Sequence, residues 1–170
     1  MIRIRPETPA DYARTETFIT SAFATAKVSD GMEAEFVRRL RGSERYLPSL
    51  SLLMEEGGEP VGHIMLSRLP VRGRENLKML LLAPLAVRLD KRGQGLGAQL
   101  AREALRRAAR EEYEAVCVLG DPAYYGRFGF ARLDSVGLKG NDSLPAAYTQ
   151  VLALKEGALS GPAGYIDFLG

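Results

Sequence analysis

The chain has 170 residues, of which 46% are apolar, and a formal net charge of +2. That length suits a single domain, residues 1–170, with a core large enough to need no staples, and the near-balanced charge, without a long run of one sign, excludes a basic tail of the kind that grips nucleic acid. A single cysteine excludes an internal disulfide, a single histidine excludes the usual His-rich zinc sites, and no stretch approaches the ~18 apolar residues of a membrane span.

The opening Met1-Ile2-Arg3-Ile4-Arg5-Pro6 has no apolar signal core, so a cytoplasmic location is expected. Ile2 and Ile4 alternate with Arg3 and Arg5, which predicts a short first strand. Thr8-Pro9-Ala10-Asp11 then supplies a capping residue, a first-turn proline and an early acid, and Phe18, Ile19, Ala22 and Phe23 recur at helical spacing to about Ala24. A second helix is predicted over Met32 to Leu40, with Phe36, Val37 and Leu40 on one side. Ser51 to Glu56 and Val61 to Leu66 flank Gly57-Gly58, a hairpin signal. Leu77 to Val87 is a long apolar run that reads as a central strand. Pro84 lies inside it and cannot donate to a ladder, so a bulge or local strand separation is expected there.

Gly95 to Arg110 is an amphipathic helix, with Leu96, Leu100, Ala104 and Ala108 four apart and arginines on much of the remaining surface. Ala115 to Leu119 reads as a short buried strand in which Cys117 is a packing residue. Asp121 to Phe128 predicts a turn and short helix, Tyr148 to Leu154 a late strand, and Gly164 to Phe168 a last extended piece. There is no internal repeat and no low-complexity linker.

One segment carries chemistry. From Val87 the chain passes through a charged turn into Arg92-Gly93-Gln94-Gly95-Leu96-Gly97-Ala98, where glycines open a helix. Glycine lets a backbone turn tightly and lets a ligand approach closely. The first N–H groups of a helix lack intrahelical partners and sit at the positive end of its dipole, so this is an anion cradle of phosphate size. Arg88, Lys91 and Arg92 are expected to add positive charge beside it.

Arg92-Gly93-Gln94-Gly95-Leu96-Gly97 resembles the Gln/Arg-x-x-Gly-x-Gly/Ala signature of the GNAT superfamily of N-acetyltransferases. Tyr125-Gly126-Arg127-Phe128-Gly129-Phe130 is similar to that family's Tyr-x-x-x-Gly-Phe. The order of predicted elements resembles the fold over nearly the whole chain, and Leu119-Gly120-Asp121-Pro122-Ala123-Tyr124-Tyr125 resembles a bacterial subgroup. The resemblance implies an α/β fold with a mixed, bent central sheet and helices on both faces. It implies acetyl-CoA as co-substrate, its pyrophosphate on Arg92 through Ala98 and its pantetheine arm along Leu85, Ala86 and Val87. A backbone amide there would polarise the thioester carbonyl. Tyr125 would be the acid that protonates the leaving thiolate on direct attack by a primary amine, with no metal involved. Homodimers are common among proteins of this resemblance.

Two departures stand out. Gly120-Asp121-Pro122 replaces an asparagine often found before the tyrosine, and no motif marks a general base, leaving Glu55, Glu56, His63 or water. Other readings compete. A plain strand-to-helix turn would need no ligand. Gly93-x-Gly95-x-x-Ala98 also fits a dinucleotide fingerprint, but five residues separate Val87 from Gly93, and that fingerprint turns directly after its strand. A non-catalytic acyl-CoA sensing module would keep the loop and not need Tyr125. Nucleic-acid binding would rest on scattered arginines alone.

Overall fold

The computed structural model describes residues 1–25, 30–140 and 145–168. In chain order the elements are β1 (Ile2–Pro6), α1 (Tyr12–Phe23), α2 (Glu33–Arg41), β2 (Ser51–Glu56), β3 (Glu59–Arg68), β4 (Val71–Arg72), β5 (Met79–Val87), α3 (Leu96–Arg110), β6 (Ala115–Leu119), α4 (Pro122–Tyr125), β7 (Ala131–Arg132), β8 (Leu138–Lys139), β9 (Thr149–Ala153) and β10 (Gly164–Ile166). The main sheet has strand order β1-β2-β3-β5-β6-β9-β7 and is mixed, because β5 and β6 run parallel while the other registered pairs are antiparallel. The chain forms two compact units, Met1–Ser67 with Ala83–Ala104, and Arg68–Leu82 with Leu105–Gly170.

In the first unit the hairpin expected around Gly57-Gly58 forms, with Leu53 opposite His63 and a register shift at Met54/Glu55. Successive side chains of a strand point to opposite faces. On β3, Met65 joins Phe18, Ile19 and Ala22 of α1 and Val37 and Leu40 of α2 in one buried cluster with Ala86. Gly62, one pleat out of phase, faces the other way: a Cβ there would lie 3.2 Å from Leu100 Cδ2 of α3. Helices therefore cover both faces, as expected for an α/β domain. α1 starts where the sequence places it, through a 3-10 turn at Pro9–Asp11, and the Asp11 carboxylate accepts the Thr8 amide at 2.8 Å.

In the second unit the ladder between β5 and β6 runs from Met79↔Ala115 to Leu82↔Val118 and ends there, two residues before Pro84. This is the separation the proline predicts, and the Ala83–Pro84 bond is cis. Cys117 is fully buried in β6, and burial pushes its thiol up to about 12, in line with a packing role. A smaller sheet, β4-β10-β8, closes the unit. The sequence reading misses β4, β7 and β8, which are two residues long and too short to carry a period.

Candidate active site

Strand β5 ends at Val87, a 3-10 turn covers Leu89–Lys91, and α3 begins at Leu96. Between them Gly93 and Gly95 take φ of +76° and +78°. An L side chain is strained in that region, which is why glycine stands at both positions. A Cβ on either would meet nothing within 4 Å, so the space over the loop is open. The first intrahelical bond is Gln99 N–H to Gly95 O at 3.0 Å. The amides of Gly95, Leu96, Gly97 and Ala98 thus precede the helical ladder and lie at the positive end of a 15-residue helix dipole. This is a cradle that fits a pyrophosphate.

The cations beside it are arranged differently from the sequence expectation. Arg88 pairs with Asp90 at 2.6 Å, and Lys91 with Glu56 at 2.7 Å. Arg92 donates through Nε to Val87 O at 3.0 Å and through Nη2 to the Ala22 carbonyl in the last turn of α1. Carboxylates offset two of the charges and backbone carbonyls occupy the third, so the pull on an anion falls mainly on the loop amides. The Arg92 side chain ties the loop to the ends of α1 and β5, a role with no signal in the sequence.

At the end of β5 the Arg88 N–H donates to Val61 O of β3 at 2.9 Å. Backbone polar groups alternate between the two edges of a strand. Ala86 therefore faces β3 like Arg88, while Leu85 and Val87 present their N–H and C=O groups to the opposite edge. Ala86 is buried and its neighbours are half-buried.

Tyr125 stands in the second unit, at the end of α4. The Asp121 carboxylate caps that turn by accepting the Ala123 amide at 2.9 Å, and the Asp121 carbonyl accepts the Tyr125 amide at 2.9 Å. The ring of Tyr125 packs edge-on against Tyr124 and Phe130, with centroids 5.0 and 5.7 Å away. Burial, with a smaller contribution from Tyr124, raises the phenol above its ordinary range. The hydroxyl therefore stays protonated throughout the physiological range.

The three side chains considered as general base are all engaged. Glu55 accepts from Arg5 Nε at 2.6 Å and from Arg14 Nη2 at 2.9 Å, and these arginines hold its carboxyl below the usual range against its burial. Glu56 is bound to Lys91. His63 is fully buried, with Nε2 3.0 Å from Glu7 Oε1. Among the described residues no group of three or more His, Cys, Asp or Glu side chains could hold a metal ion, and no helix is long and apolar enough to cross a membrane.

Comparison with known proteins adds a family. The model of the acetyltransferase (GNAT) family matches residues 15–130. The N-acetyltransferase YhbS of Escherichia coli, itself uncharacterised, is 34% identical over 165 residues, spanning 97% of this chain and 95% of that protein. The crystal structure of Escherichia coli YhbS in complex with CoA superposes with a TM-score of 0.88 at 31% identity, covering 98% of this chain and 88% of that one. A GNAT acetyltransferase from Brucella melitensis, solved with acetyl-CoA, gives a TM-score of 0.80 at 31% identity, covering 98% of this chain and 94% of that one.

Proposed function

The chain belongs to the acetyltransferase (GNAT) family, and from that premise we propose that it transfers the acetyl group of acetyl-CoA to a primary amine by direct attack. It is an acyltransferase with acetyl-CoA as co-substrate. The observation that carries the coenzyme-binding part of this reading is the loop itself: two glycines at positive φ under open space, followed by the free amides of a long helix. Arg92, Gly93, Gln94, Gly95, Leu96, Gly97 and Ala98 would hold the pyrophosphate, chiefly through backbone N–H groups. β5 and α3 each pass from one compact unit to the other without a break, which supports reading residues 1–170 as one catalytic domain.

Leu85, Ala86 and Val87 would line the pantetheine arm. The outward-facing amides of Leu85 and Val87 are the donors available to a thioester carbonyl, and a fixed amide directed at the developing oxyanion is a large catalytic contribution. The amine nitrogen forms a bond to the acetyl carbon, the C–S bond breaks, and the thiolate takes a proton from the Tyr125 hydroxyl. The products are an amide and the CoA thiol. With Glu55, Glu56 and His63 all engaged, the acceptor would arrive as free amine, its surplus proton leaving to water, from which the Tyr125 phenolate regains its own.

The test is calorimetric titration with acetyl-CoA of the wild type and Gly95→Glu, with NADH as control. The expected result is micromolar binding to the wild type, none to the variant and none of NADH. An intact protein that does not bind acetyl-CoA would sink the proposal.

A further inference from the structure

Gly120 lies between β6 and α4, at a φ that every L residue can adopt, yet there is no room for a side chain. A Cβ built on it would stand 2.3 Å from Cε2 and 2.8 Å from Cδ2 of Tyr125. Ordinary carbon contacts lie near 3.5–4.0 Å. The Tyr125 ring therefore rests directly on the Gly120 backbone. That backbone is itself held on both sides by the strand segment that follows: its N–H donates to Tyr148 O at 2.9 Å, and its carbonyl accepts from Gln150 Nε2 at 3.0 Å. The Gln150 side chain that makes this bond is buried. On its other sides the ring meets Tyr124, Phe128 and Phe130.

We infer that Gly120 is a positioning residue for acetyl transfer: it sets where the Tyr125 hydroxyl sits, and Gln150 in turn holds Gly120. The inference rests on the reading of Tyr125 as the proton donor. In Gly120→Ala the backbone would be unstrained, so the substitution changes only the space beneath the ring. The ring must then shift by roughly 1 Å, and a displacement of that size at a reacting group can lower a rate by about a hundredfold. A positioning role predicts a fall in turnover at unchanged KM for acetyl-CoA, because the phosphate cradle is untouched.

The experiment is thiol release from acetyl-CoA with water as acceptor, which expels the same thiolate and assumes no particular amine. It is run on the wild type, Gly120→Ala, Tyr125→Phe and the double variant. Gly120→Ala is expected to lose about 10- to 100-fold in kcat at unchanged KM, and to lose nothing further when Tyr125 is already Phe. In the NMR spectrum of ring-labelled tyrosine, the Tyr125 resonance (the one absent from Tyr125→Phe) is expected to move in Gly120→Ala as the ring shifts against Phe130. A full rate in Gly120→Ala beside a slow Tyr125→Phe would overturn this inference alone. So would additive losses or an unmoved resonance. A full rate in Tyr125→Phe would overturn the acid assignment and this inference with it.

Discussion

Glu7 belongs to the first unit, and its carboxylate is sealed from solvent. It accepts from Arg41 through Nε and Nη2, both at 2.9 Å, and from the Tyr46 hydroxyl at 2.9 Å, and it meets His63 Nε2 at 3.0 Å. The Arg41 side chain is only 6% exposed and stacks over the Tyr12 ring. Burial alone would raise the carboxyl, but hydrogen bonds from His63 and Arg41 outweigh it and hold the group at about 2. A carboxyl depressed in the folded state stabilises the fold above its unfolded pKa, near ~4.3, and that contribution is lost as pH falls toward ~2. The gap corresponds to about 3 kcal/mol. Glu7→Gln removes the charge, turns an amide donor toward donors and leaves Arg41, among the described residues, with Glu16 at 3.7 Å as its one ion-pair partner. Breaking a buried pair in this way costs about 3–5 kcal/mol, or a fall of about 10 °C in Tm for a chain of this size. Urea unfolding of both proteins at pH 7 and at steps down to pH 2 measures it: the difference should be large at pH 7 and shrink between ~4.5 and ~2. A variant within about 1 kcal/mol of wild type at pH 7, or a difference that does not shrink in acid, would refute the reasoning.

Two further outcomes follow from named contacts. Glu55→Gln takes one acid from the Arg5, Arg14 and Asp11 cluster and should lower stability by about 1–2 kcal/mol. It should leave the rise of kcat/KM with pH unchanged, since that rise would follow ionisation of the acceptor amine; loss of the alkaline limb in the variant would make Glu55 the base after all. Cys117, fully buried with its thiol pushed up to about 12, should react with a thiol reagent at pH 8 only as fast as the protein unfolds, which labelling in rising urea would check.

The elements that carry the site were legible because their signals are local. Alternating Ile2 and Ile4, the Gly57-Gly58 turn, the four-residue spacing along α3 and the glycines before it each express a constraint within a few residues. Pro84 announced the end of the β5–β6 ladder because a residue without an N–H cannot extend it. The short strands β4, β7 and β8 were not legible, since two residues have no period and exist only through their partners.

By itself the sequence determined the α/β class, the glycine loop ahead of α3 and the tyrosine motif, because glycine placement and hydrophobic period are properties of adjacent residues. Tertiary structure alone decided which charges remain available: Lys91 meets Glu56, and Arg92 reaches back to Ala22, 70 residues earlier. It alone showed that Glu55 and His63 are engaged, through Arg5, Arg14 and Glu7, and that Gly120 is glycine because a ring lies on it. The reason is physical. Whether a side chain is paired, buried or pressed against another depends on groups far away in the chain, and only the folded packing brings those groups within the few ångströms over which such forces act.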